Sequence, residues 1–241
     1  LVSQAENTAI VLRGDLEQTG TTAEGYPIFN SAREASFVLT NSDEGNESTT
    51  ISVSVSKDYD NGFDWAFGYA WNDAKDVQPM TSSVAFSNYN NRAFFDPQEQ
   101  VLSTSEYNIE HRFTFLANYS REFWADYAST LSAFGTARSG QPYPLVRDDA
   151  GSSFFNFTPF IQGGGQVLLP GGERNSEEGS WWGKVDLRFE QEFPGIRPQD
   201  RSSAFIVIDN FTNLLSDEWG ILREPAFPPP VEVAPTPGNL V

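Results

Sequence analysis

Phe63-Asp64-Trp65-Ala66-Phe67-Gly68-Tyr69-Ala70-Trp71 is aromatic at every odd position and small or polar at every even one. Successive side chains of a β-strand point to opposite faces, so an extended backbone here gathers five rings on one side. A soluble sheet hides such a face against a second layer. A barrel wall in lipid displays it outward, with aromatics near the interfaces and a wet, polar interior. Thr49 to Lys57 repeats the alternation, with Ile51, Val53 and Val55 against Ser52, Ser54 and Ser56. Between the two segments lies Asp60-Asn61-Gly62, whose Asn-Gly pair accepts the positive φ angles of a tight hairpin.

Outward from this hairpin the period-2 pattern predicts further strands. They cover Ala35–Thr40, Ile109–Tyr119, Tyr127–Arg138, Gly183–Phe193 and Ser203–Asn213, with an earlier one over Thr8–Gly14. In Gly183–Phe193, Val185, Leu187 and Phe189 share one face, and Lys184, Asp186, Arg188, Glu190 and Glu192 share the other. Charges in that register are costly against lipid or a dry core and suit a wet lumen, where neighbouring strands or an inserted domain supply partners. The alternative is an exposed sheet face with a salt-bridge ladder.

The connections near 58–62, 121–126 and 194–202 are short, whereas 75–106 and 139–180 are long and rich in Asn, Ser, Gly and Pro. Alternate connections of a meander lie at the same end, so the long loops are expected at one rim and the short turns at the other. Outer-membrane barrels share this asymmetry. The fold expected is all-β: an antiparallel up-and-down meander of about seven to nine strands, forming part of a transmembrane barrel wall. Residues 1–241 form a single region, and 221–241 form a Pro-rich irregular tail.

Bulk composition agrees. The 39 % of hydrophobic residues is too low for a bundle of membrane helices, and no run approaches the roughly 18 apolar residues of a spanning helix. With 33 acidic residues against 15 basic ones the formal charge is −18, the opposite of a nucleic-acid footprint. There is no Cys, hence no disulfide or thiolate metal site. Leu1 follows no initiator Met or signal-like start, which suggests a mature or excised piece.

No catalytic constellation emerges, and the chain is expected to be no enzyme and to need no cofactor or metal. His111 is the only histidine and reads as a hydrogen-bonding rim residue. Asp58-Tyr59-Asp60-Asn61-Gly62 opens like a calcium loop, but Phe63 and Tyr69 stand where that loop needs Gly and Glu. Gly163-Gly164-Gly165 lacks the Lys-Ser/Thr pair of a phosphate cradle. The four Asn-X-Ser/Thr matches, at Asn46, Asn118, Asn156 and Asn210, read as chance in a barrel.

Four segments carry a resemblance. Ser120-Arg121-Glu122-Phe123-Trp124-Ala125-Asp126-Tyr127-Ala128-Ser129-Thr130, followed by Arg138-Ser139-Gly140-Gln141-Pro142-Tyr143, resembles the C-terminal barrel region of TonB-dependent outer-membrane receptors of the Oar-like group. Tyr69–Ser83, Asp96-Pro97 leading to His111-Arg112-Phe113, and Asp209–Gly220 are similar in the same order. The last, with Asn210-Phe211-Thr212-Asn213-Leu214-Leu215, resembles the penultimate-strand signature of these receptors.

The resemblance implies a barrel of about 22 strands around a plug, energy-coupled ligand uptake, and residence in the outer membrane of a Gram-negative bacterium. Implied partners are outer-membrane lipid, the chain's own N-terminal plug and remaining barrel strands, and TonB through an N-terminal part that this sequence lacks. Nucleic acid is not among them. The sequence departs from the pattern in having too few strands and a Pro-rich end in place of an aromatic-terminated one. The competing readings are a small complete outer-membrane barrel with a structural or adhesin role, and a soluble β-sandwich that binds glycans.

On this reading Ile51, Val53, Val55, Trp65, Phe67, Tyr69, Val185, Leu187 and Phe189 are expected on the convex lipid side. Ser52, Ser54, Lys184, Asp186, Arg188 and Glu190 are expected on the concave lumen side. Phe86, Tyr89, Phe94, Phe95, Phe154, Phe155, Phe157 and Phe160, exposed rings among Asn, Gly and Ser of the long loops, are the ligand-contact candidates, since rigid rings give contact area at low entropic cost.

Overall fold

The computed structural model describes residues 8–13, 18–21, 23, 25–29, 36–90, 92–96, 99–147, 166–197, 200–224 and 231–233. Six long strands dominate: β1 (Glu47–Asp58), β2 (Phe63–Asp76), β3 (His111–Trp124), β4 (Tyr127–Arg138), β5 (Trp182–Pro194) and β6 (Arg201–Ile208). Each pairs antiparallel with its neighbour in sequence, so the spatial order is the chain order. Ser103–Thr104 adds a seventh, two-residue strand against the far end of β2. The chain is therefore all-β, built on an antiparallel meander that is not closed into a barrel.

The hairpins turn where their residues permit. In the β1–β2 turn Gly62 has φ +83°, and a Cβ there would lie 2.1 Å from the Ser120 carbonyl oxygen. Glycine is required on both counts. The β3–β4 turn is only Ala125-Asp126, with Ala125 at φ +48°. Strand β3 thus continues through Arg121–Trp124, which the sequence reading assigned to the turn. The remaining connections, 77–110 and 139–181, leave from the opposite rim.

Three expectations are corrected. Ser203–Asn213 is not one strand: β6 ends at Ile208, and Phe211–Leu215 is a short helix, α1. Asn210 makes the break in the left-handed region at φ +52°, which Asn tolerates better than most residues. Its backbone N–H donates to Asp186 Oδ1 at 2.7 Å, and its Nδ2 donates to the Gly220 carbonyl at 3.2 Å. The segment resembling a penultimate strand is therefore a turn and helix folded back on β5. Ser36–Asn41 pairs with Thr8–Arg13 in a separate two-stranded sheet, outside the meander. Within the Pro-rich tail, Val231–Val233 is extended and pairs in parallel with Leu145–Arg147, as its β-branched residues favour.

Among the described residues, the buried hydrophobic side chains are Tyr26, Val77, Tyr89, Ala93, Phe94, Val146 and Leu168. None belongs to the six long strands. They come from the long-rim connections and the N-terminal segment, which pack into a cap. Tyr26 Oη donates to the Leu168 carbonyl at 2.8 Å, and its ring stacks on Phe95 with centroids 4.7 Å apart.

Candidate functional site

The pairing register settles which residues of the sheet share a face. Val53 lies opposite Tyr69 and Tyr69 opposite Phe113; Val55 lies opposite Phe67 and Phe67 opposite Phe115. The same rows continue through Gly135 and Leu131 of β4 to Val185 and Phe189 of β5, and from Phe189 and Leu187 to Ile206 and Ile208 of β6. Ile51, Val53, Val55, Trp65, Phe67, Tyr69, Val185, Leu187 and Phe189 therefore share one face. Val53 is 62 %, Ile206 65 % and Leu131 50 % exposed on it. An apolar face this continuous and uncovered is the signature of an interaction surface.

Rings line a groove of about 540 Å³ on this face, between Val53, Val55, Phe67, Tyr69, Phe113 and Trp181. The Tyr69 and Phe113 centroids are 4.8 Å apart, and Trp181 approaches Phe113 at 6.0 Å and His111 at 5.9 Å. At the long-loop end the rings end in polar contacts. Tyr69 Oη and His111 Nδ1 are hydrogen-bonded at 2.9 Å, and Trp71 Nε1 donates to Glu110 Oε1 at 3.2 Å. At the short-turn end Lys57 lies over Tyr59 (5.6 Å), Arg121 over Phe123 (5.9 Å) and Arg201 over Tyr127 (5.5 Å). Both margins thus combine aromatic bodies with wet, charged tips.

The other face carries Ser52, Ser54, Lys184, Asp186, Arg188 and Glu190. The charges pair along β5 itself, Lys184 with Asp186 at 2.7 Å and Arg188 with Glu190 at 2.5 Å, while Glu192 reaches Arg201 of β6 at 2.9 Å. Only this last pair uses the neighbouring strand that the sequence reading expected to supply partners. Asn118 Nδ2 donates to Asp64 Oδ2 at 2.8 Å, and Ser120 and Thr130 hydroxyls are 2.9 Å apart. Leu116, Phe134, Phe205 and Val207 interrupt the polarity. The Arg188 guanidinium lies 4.7 Å from the Phe205 ring centre.

The ligand-contact candidates fare unevenly. Tyr89 is 1 % and Phe94 5 % exposed, so these rings fill the cap instead of facing solvent. The expectation that they are exposed is corrected: the cap collapses on the apolar side chains nearest to hand, and these are among them. Phe95 is half-buried beside Tyr26. The side chain of Phe86, and Phe154, Phe155, Phe157 and Phe160 entirely, lie outside the described residues.

The cap also buries polar side chains that the sequence reading did not single out. Arg92 is 4 % and Arg174 6 % exposed. Arg174 Nη1 donates to Asp76 Oδ1 at 2.8 Å and Nη2 to the Asp76 carbonyl, which ties the cap to the end of β2. Burial lowers the Arg92 pKa to about 10, and the charge of Arg174 adds to that shift. Burial raises the Glu106 pKa; Asp76 adds to the rise, while Arg174 and a hydrogen bond with Tyr107 oppose it. Asn88 clasps the Ser82 backbone, accepting from its N–H at 2.7 Å and donating to its carbonyl at 2.6 Å. The sequence signal for this cluster is a cation placed directly before an apolar run, Arg92-Ala93-Phe94-Phe95, a position seldom buried without partners. Between Arg92, Arg174, Phe94, Val77 and Leu168 the cap encloses a pocket of about 250 Å³.

No protein-family model matches the sequence, and no curated protein or solved structure is significantly similar to it. No described helix is long and apolar enough to cross a membrane, which leaves strands free to do so. No described group of three or more His, Asp or Glu side chains is arranged to hold a metal ion.

Proposed function

We propose that the chain forms part of the wall of a transmembrane β-barrel, and that the barrel is a TonB-dependent receptor in the outer membrane of a Gram-negative bacterium. The observation that carries the membrane assignment is the placement of burial. Six strands leave a continuous apolar face uncovered, while every buried hydrophobic side chain of the described residues sits in the rim cap. A water-soluble sheet gains its stability by covering such a face; a barrel wall gains it from lipid. Aromatic margins with charged tips and the polar opposite face fit the same arrangement.

The receptor assignment is supported by the resemblance of the four segments. On that reading the opposite face meets the N-terminal plug, the remaining barrel strands complete the wall, and TonB drives uptake through the plug. The rim cap is the first surface a ligand meets. Nothing in the reading calls for catalysis or a cofactor.

The chain has no Cys, so single cysteines can carry a spin label at chosen positions of the intact protein. Labels at Val55 and Phe67 should collide with dissolved oxygen, which concentrates in lipid. Labels at Ser54 and Asp64 should collide with a water-soluble nickel chelate. Loss of this alternation would refute the wall assignment. The receptor assignment makes a separate claim: collapsing the ion gradient must stop ligand uptake while surface binding persists.

A further inference from the structure

The charges of the cap pocket are segregated by depth. Its inner wall carries the two buried guanidiniums, Arg92 and Arg174, above an apolar floor of Val77, Phe94 and Leu168. Its mouth carries the exposed carboxylates of Glu99 and Glu173, and the half-buried Asp96 acts on Arg92. Arg174 is held in orientation by Asp76, which takes two of its N–H groups; a guanidinium has five, in a rigid fork suited to carboxylates.

We propose that this pocket binds a small zwitterion of the amino-acid type with an apolar side chain. Its carboxylate lies against Arg92 and Arg174, its ammonium against Glu99 and Glu173, and its side chain on the apolar floor. Each part of the pocket selects against another ligand class. A simple anion has to pass the acidic mouth, which repels it. A cation without a carboxylate offers the guanidiniums no acceptor. A large ligand does not fit, because about 250 Å³ falls below the roughly 300–1,000 Å³ of sites for drug-sized molecules. Arg174 disfavours the charge of Arg92 while Asp96 and Asp76 favour it, and an incoming carboxylate adds to the favourable side. Burial on the apolar floor adds about 0.8 kcal/mol per methylene removed from water.

The inference deepens the receptor reading, on which it rests for the cap's access to the outside. Calorimetric titration of the intact protein in detergent micelles tests it without membrane insertion, ion gradient or uptake. A failure here therefore leaves the receptor reading standing, and a failure of uptake leaves this one standing. Leucine should bind with Kd of about 1 mM or tighter. Leucinamide, which lacks the carboxylate, and N-acetylleucine, which lacks the ammonium, should each bind at least tenfold more weakly. Glu173→Gln, at an exposed position that leaves the cap folded, should weaken leucine severalfold and should not weaken N-acetylleucine, an anion that the Glu173 carboxylate repels. Absence of leucine binding in the millimolar range, or equal binding of leucine and either derivative, overturns the proposal.

Discussion

An arginine placed at three positions of β1 separates a lipid-facing wall from a soluble sheet. Val55 pairs with Phe67, the midpoint of the aromatic run from Phe63 to Trp71. That run is about eight residue steps of ~3.4 Å, or roughly 27 Å along the strand. At a strand tilt of about 40° it rises roughly 21 Å along the membrane normal, close to the apolar band of about 25 Å in such barrels. Val55 therefore lies near mid-bilayer. Ile51, opposite Trp71, lies near the margin where Trp71 meets Glu110. Ser54 points to the other face, opposite Gly68, with room for a long side chain. Val55→Arg should cost about 2–4 kcal/mol, Ile51→Arg about 0–1 kcal/mol, and Ser54→Arg less than about 0.5 kcal/mol. The assay is a urea titration of the intact protein refolded in lipid vesicles, followed by tryptophan fluorescence. A sheet covered by a second protein layer has no such depth gradient. Equal costs at Val55 and Ile51 would rule out a lipid-facing wall, as would a large cost at Ser54.

Gly62→Ala should destabilise the β1–β2 hairpin by more than about 1 kcal/mol, because φ is positive and the Ser120 carbonyl occupies the space; a thermal melt no lower than that of the parent protein rejects this. Asp76→Asn leaves the buried Arg174 charge without its partner and should cost about 3–5 kcal/mol. The loss should appear in hydrogen exchange as weakened protection of the cap around 172–178, with the β3–β4 hairpin unaffected. Glu106, whose pKa burial raises above the usual carboxylate value, binds its proton more tightly folded than unfolded. Its contribution is therefore favourable below the unfolded pKa and lost as pH rises through the folded one. Glu106→Gln should stabilise the cap at pH 7 and have little effect at pH 3, and equal effects at both values count against this burial.

The strands were legible where alternation was strict. In Thr49–Lys57, Phe63–Trp71 and Gly183–Phe193 a one-residue slip would move every side chain to the wrong face, so sequence and register carry the same information. Their ends were less so: β1 and β2 run past the alternating segment because backbone pairing continues to Glu47 opposite Lys75 and to Asp76 opposite Ser103. The end of β6 was misread because Asn210 uses its side chain and left-handed backbone to stop a segment whose pattern still looked extended. The cap was the least legible part. Tyr89, Arg92 and Phe94 have no period to report their burial, and their partners lie far off in the chain, as Asp76 does for Arg174 and Leu168 for Tyr26. The pairing of Val231–Val233 with Leu145–Arg147 is invisible for the same reason.

The alternation of short and long connections also divides the chain kinetically. Closing a flexible connection about ten times longer costs about 2 kcal/mol more in chain entropy, so β1–β2, β3–β4 and β5–β6 are the natural first units, forming in about 1–10 μs. Joining one hairpin to the next requires closure of 77–110 and of 139–181. The contacts that reward closure are the β2–β3 and β4–β5 ladders together with those of the cap, among them the clamp of Arg174 on Asp76. Cap formation and the docking of successive hairpins are therefore coupled, and a lesion in the cap should slow that docking while leaving the three hairpins able to form.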